Sequence, residues 1–103
     1  MAISNIERKG SYYDLYDEKG KKYKSVFSGT VGEMLGFSEE FFITIKGSYY
    51  DLYDEDGKKI KSLYSGTVGD FISIAGDKIN FRKGSYVDTY DTTGKKISSH
   101  FSR

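Results

Sequence analysis

The chain has 103 residues, 16 basic and 15 acidic side chains for a net charge of +1, ten Tyr, seven Phe, and neither Trp nor Cys. Its aromatic content excludes a disordered segment, and its balanced charge excludes a global field that would draw in nucleic acid or an acidic membrane. The missing cysteine excludes disulfides, thiolate metal sites and Cys nucleophiles, and the length suits one small core.

Lys9-Gly10-Ser11-Tyr12 returns as Lys46-Gly47-Ser48-Tyr49 and as Lys83-Gly84-Ser85-Tyr86, a period of 37 residues. Residues 9–45 and 46–82 are identical at 20 of 37 positions, and the third copy matches the second at 13 of 21. The period divides a single domain, 1–103, into repeats 1–37, 38–74 and 75–103, the last without the segment that links the others. No stretch has the length of a membrane-spanning helix, which predicts no membrane insertion. Met1-Ala2-Ile3-Ser4 lacks the basic and apolar regions of a signal peptide; the default expectation is cytoplasmic, and a secreted chain with its leader removed would read identically.

In chain order, the first copy predicts strands around Ile6 and from Tyr12 to Asp17, joined by Gly10-Ser11, a two-residue turn of type II′ with Gly first. Glu18-Lys19-Gly20 is a three-residue loop closed by Gly, and a third strand follows, giving a three-stranded antiparallel meander. The register from these loops places Ile6, Tyr13, Leu15, Tyr23 and Phe27 on the core face, with Asn5 and Glu7 on the other. Ser28-Gly29-Thr30-Val31-Gly32-Glu33-Met34-Leu35-Gly36 is a connector, ambiguous between a short fourth strand and a single helical turn opened by Thr30 and Glu33 as a capping box.

The middle copy predicts strands at Phe41–Lys46, Tyr49–Asp54 and Lys58–Tyr64. One face carries Phe41, Ile43, Ile45, Tyr50, Leu52, Ile60 and Tyr64, the other Phe42, Thr44, Tyr49, Asp51, Tyr53, Lys59, Lys61 and Leu63. A second connector, Ser65-Gly66-Thr67-Val68-Gly69-Asp70-Phe71-Ile72, leads to the third copy. There Ile79 and Phe81 join Tyr86 and Tyr90 on the mixed face, and Lys78, Asn80, Arg82 and Thr89 occupy the former core face. A middle sheet apolar on both sides between two sheets each polar on one side predicts a stack of three.

Strand, Gly-Ser turn, strand ending in Tyr16-Asp17, Tyr53-Asp54 or Tyr90-Asp91, Gly-Lys turn and a further strand resembles a β-propeller blade, where an aromatic-Asp pair often ends the third strand. The resemblance implies an all-β fold of three tandem, blade-like meanders stacked as a propeller-like unit. Propellers close with four to eight blades, so three imply an open fan, or half of a six-bladed ring completed in a homodimer. The alternative is a β-trefoil or β-prism with pseudo-threefold symmetry.

Tyr-x-Asp-x-Tyr is the candidate ligand-binding motif: Tyr12, Asp14 and Tyr16; Tyr49, Asp51 and Tyr53; Tyr86, Asp88 and Tyr90. Alternation puts each trio on one face, and flat aromatic surface beside a carboxylate suits a sugar ring and its hydroxyls. The competing reading packs these tyrosines between sheets, chiefly in the second and third copies. Lysines at 21, 22, 24, 58, 59, 61, 95 and 96 invite a nucleic-acid reading, but the register sets Asp14 opposite Lys24, Asp51 opposite Lys61 and Asp17 opposite Lys21 as cross-strand ion pairs, which argues against it. Asp54-Glu55-Asp56-Gly57 departs from a calcium loop and reads as turn chemistry. His100, the sole histidine, has no evident partner. No catalytic, metal or cofactor site is expected. The function read is a non-enzymatic binding module, possibilities being a glycan ligand or, alternatively, a scaffold assembling with a protein partner.

Overall fold

A computed structural model describes residues 2–101; Met1, Ser102 and Arg103, and with them the outer bounds of the first and third repeats, lie outside the described residues. The chain order is β1 (Asn5–Lys9), β2 (Tyr12–Tyr16), β3 (Lys22–Phe27), α1 (Ser28–Val31), β4 (Glu33–Phe37), β5 (Phe41–Lys46), β6 (Tyr49–Asp54), β7 (Lys59–Tyr64), α2 (Ser65–Val68), β8 (Asp70–Ala75), β9 (Lys78–Lys83), β10 (Tyr86–Asp91) and β11 (Lys96–Phe101). Three antiparallel sheets form, in the orders β1-β2-β3, β4-β5-β6-β7 and β8-β9-β10-β11.

The hairpins follow from local chemistry. Lys46 pairs with Tyr49 across a two-residue turn in which Gly47 has φ +63°, as type II′ requires. At the other end of β2, β6 and β10 the carboxylates of Asp17, Asp54 and Asp91 each accept two backbone N–H bonds from the following loop, at 2.9–3.0 Å. The aspartates that end these strands are therefore turn builders, Asp54 included.

Both connector readings hold in part. Four residues make a helical turn, and the chain then enters β4 or β8, which joins the sheet of the following copy. Three-stranded sheets were expected throughout; the connector strand makes the second and third four-stranded. The capping box does not form: Phe27 occupies the cap without a side-chain hydrogen bond, and Glu33 already belongs to β4. Tyr13 Oη accepts from the Met34 N–H at 3.1 Å, and Tyr50 Oη accepts from the Phe71 N–H at 3.1 Å while donating to Gly69 O at 3.0 Å. Each connector is thus held by a tyrosine of the preceding copy, and Val87 stands at that position in the third copy, where no connector packs among the described residues.

Two apolar clusters fill the spaces between sheets. Tyr13, Leu15 and Val26 of the first sheet meet Phe42 and Tyr53 of the second, with Ile3 and Val31. On the opposite face of the second sheet, Phe41, Ile43, Tyr50, Leu52 and Leu63 meet Ile79, Phe81 and Tyr90 of the third. The middle sheet is thus buried on both sides, with the other two on its opposite faces. No closed barrel forms among the described residues, which removes the trefoil alternative; outer sheets that share no core also differ from the sides of a prism.

The third strands depart from the expected register. A bulge falls at Tyr23, Ile60 and Ile97, so that Asp14 lies opposite Ser25 and Leu15 opposite Lys24, and likewise Asp51 opposite Ser62 and Leu52 opposite Lys61. One extra residue reverses the faces of everything beyond it. Val26 and Leu63 therefore enter the core, while Phe27 and Tyr64 turn outward and Ile60 is exposed.

Candidate functional site

The bulge is what assembles a polar site. In a regular strand, residues three apart point to opposite faces. With Tyr23 bulged, Lys22 and Ser25 both reach the face of Asp14, and the same holds for Lys59, Ser62 and Asp51 and for Lys96, Ser99 and Asp88. The Ser25 and Ser62 hydroxyls donate to Asp14 and Asp51 at 2.6 Å, and Ser99 does the same to Asp88. Lysine Nζ lies 3.9, 3.8 and 3.7 Å from the second carboxylate oxygen. The aspartates are only 3, 4 and 5% exposed, and a buried carboxylate requires such partners.

The three members of Tyr-x-Asp-x-Tyr have different roles. Tyr12, Tyr49 and Tyr86 are half exposed, and each leans on an aromatic of the third strand: Phe27 at 5.4 Å, Tyr64 at 5.4 Å and Phe101 at 5.7 Å between ring centroids. Tyr53 and Tyr90 belong to the core, the former stacked on Phe42 at 5.0 Å, the latter edge-on to Phe81 at 5.5 Å. Burial, reinforced by the nearby Asp51 charge, pushes the Tyr53 hydroxyl above its ordinary pKa. Tyr16, with no sheet over it, is half-buried.

Two of these constellations line open depressions. Lys46, Tyr49, Asp51, Lys59 and Ser62 surround one of about 370 Å³, and Lys83, Tyr86, Asp88, Lys96 and Ser99 surround its counterpart of about 340 Å³. The far wall of each is a lysine that reaches back to the preceding helical turn: Lys46 Nζ donates to Thr30 O at 3.2 Å, and Lys83 Nζ to Thr67 O at 2.8 Å. A carboxylate, two ammonium groups, a hydroxyl and a tyrosine ring, itself backed by the third-strand aromatic, thus surround one depression, and this can grip a polar ring by stacking and hydrogen bonding.

The sequence motif pointed to the tyrosines and aspartates, but not to Lys22, Lys59, Lys96, the three serines or the third-strand aromatics. Their recurrence at 37-residue intervals was visible; their facing was hidden by the bulge. The expected pairs Asp14–Lys24 and Asp51–Lys61 are replaced by Asp14–Lys22 and Asp51–Lys59, whereas Asp17 meets Lys21 through backbone hydrogen bonds in place of the expected ion pair, its N–H donating to Lys21 O at 2.9 Å and its carboxylate accepting from the Lys21 N–H at 3.0 Å. His100 is exposed opposite Val87 on β11. Comparison with family models, curated proteins and solved structures gives no match for this chain, and its functional reading rests on this geometry.

Proposed function

We propose that this chain is a non-enzymatic binding module whose exposed aromatic pairs and adjacent Asp-Ser-Lys clusters take glycan rings. The observation that supports the reading is the recurrence of one solvent-facing arrangement in three sheets: Tyr49 beside Tyr64 over Asp51, and its counterparts at Tyr12 and Tyr86. Core packing alone does not call for half-exposed ring pairs beside a buried carboxylate held by an exposed lysine, whereas sugar recognition uses both. Weak sites repeated along one chain gain strength by avidity. The test is a glycan-array screen followed by titration of Tyr49→Ala/Tyr86→Ala. Each ring lost removes about 1 kcal/mol of contact, so the double variant binds about tenfold more weakly or worse while its circular dichroism is retained. Unchanged binding by a folded double variant overturns the assignment.

A second reading has two observations in its favour. β5 and β9 are flanked by β4 and β8, whereas β1 forms an uncovered edge of its sheet. The chain also passes from the last strand of one sheet to the opposite edge of the next, as between propeller blades. In this reading the module is a propeller fragment or scaffold that acquires its missing strand, or a second half, from another chain. The charged side chains of Glu7, Arg8 and Lys9 guard that edge against casual pairing, so the partner needs complementary charge. Molar mass in solution separates the cases: a stable dimer near twice 11.7 kDa favours assembly, and a monomer across the concentration series counts against a self-completed ring.

A further inference from the structure

The charges at the two depressions say what kind of sugar fits. Asp51 is buried and already receives the Ser62 hydroxyl and the Lys59 ammonium, and Asp88 is held in the same way by Ser99 and Lys96. Such a carboxylate holds a lysine in place rather than presenting a bare negative charge to a ligand. The second lysine of each depression, Lys46 or Lys83, donates to neutral backbone carbonyls, of Thr30 in one case and of Gly66 and Thr67 in the other, which leave its charge uncompensated. Two ammonium groups against one carboxylate leave each depression at +1.

The first sheet is different in a way that sharpens the point. Across from Asp14 stands Glu7, where the second sheet has Thr44 opposite Asp51 and the third has Phe81 opposite Asp88. Glu7 adds a second negative charge beside Lys9, Lys22 and Asp14 and brings that cluster to neutrality. Of the three clusters, the two that line depressions are the ones with a positive excess.

Resting on the glycan reading, we propose that the sites at Tyr49 and Tyr86 select acidic sugars: a carboxylate-bearing ring lies over the aromatic pair, with its anionic group between Lys46 and Lys59 in one site and between Lys83 and Lys96 in the other. Single-stranded nucleic acid shares the chemistry of ring plus anion, but it tracks a continuous basic groove, and here the excess is one charge per site in a chain of net charge +1.

The experiment is affinity electrophoresis and calorimetric titration of the full chain with three probes: an alternating uronic-acid polysaccharide, the same polymer with its carboxyl groups reduced to alcohols, and oligothymidine. The acidic polymer binds, its affinity falls as salt is raised from 50 to about 300 mM, and the reduced polymer binds about tenfold more weakly. Equal binding of acidic and reduced polymers overturns the charge preference and leaves the glycan reading standing. Binding of neither polymer overturns both, and binding of oligothymidine alone replaces them with nucleic-acid recognition. Glu7→Gln supplies a check that leaves the two depressions intact. It frees one positive charge in the first sheet and raises affinity for the acidic polymer alone; an equal gain for the reduced polymer counts against the charge argument.

Discussion

Tyr23 shows how much a single side chain contributes between sheets. It is the bulged residue of β3, and its hydroxyl donates to the carbonyl of Glu55 in the β6–β7 loop at 2.7 Å, joining the first sheet to the second. Burial first, and then the negative charges of Glu55 and Asp56, push its pKa up to about 12. A raised folded-state value means that the neutral form is favoured by folding, so this contribution is complete below about pH 10 and is lost as pH rises through 12. The opposite sign holds for Asp17, held low chiefly by the Lys21 N–H, and for Asp91, held low chiefly by the Thr93 hydroxyl. Their contribution is present above the ordinary carboxylate value of 3.8 and is lost below it as pH falls through their lowered values. Tyr23→Phe is expected to lower stability by about 1 kcal/mol at neutral pH and to flatten the alkaline limb of the urea-midpoint profile, with the acid limb unchanged. An alkaline limb of undiminished slope would show that Tyr23 does not titrate as described.

At the scale of elements, the connectors join one sheet to the next, and their weakest tolerance is at the glycine that ends each helical turn. Gly69 has φ +93° and ψ −151°, a region essentially closed to other residues, and a Cβ there would run into the carbonyl oxygen of Arg82. Gly69→Ala is expected to destabilise by about 3 kcal/mol, measured by chemical denaturation, because strain and a backbone clash act together. Gly47→Ala, with a positive φ but open space around it, is expected to lose about 1 kcal/mol; equal losses at the two positions would mean that the clash is relieved by movement of β9. The turn glycines, the alternation in β5 and β6 and the polar outer face of the third copy were all legible in the sequence, because each is set by residues within one hairpin. The bulges were not. Lys58-Lys59-Ile60-Lys61 carries no local sign of an extra residue, and what the bulge gains, Leu63 facing Tyr50 and Lys59 beside Asp51, depends on partners in other strands. The site was accordingly half legible: its tyrosines, its aspartates and Lys46 and Lys83 lie on regular strands, whereas Lys22, Lys59, Lys96 and the serines lie on either side of the irregularity.

At the scale of the whole molecule, two separate cores make stability a sum over neighbouring interfaces. Phe42 is fully buried between the first and second sheets, and Phe81 between the second and third; no residue of the first sheet belongs to the cluster around Phe81. Phe42→Ala leaves the second interface its own contacts, and Phe81→Ala leaves the first. Each truncation is expected to cost about 3–5 kcal/mol at its own interface, a large share of what a domain of this size has. Amide hydrogen exchange reads the difference by location. In Phe42→Ala the amides of β1 and β2 lose protection while those of β9 and β10 keep most of theirs, because the first sheet can open without disturbing the third. Phe81→Ala reverses the order. The middle sheet, covered on both faces, keeps the slowest amides in both variants, at β5 and β6. A uniform loss of protection in all three sheets, from either variant, would show that the stack opens as one unit and that the two cores are coupled through the backbone of the middle sheet.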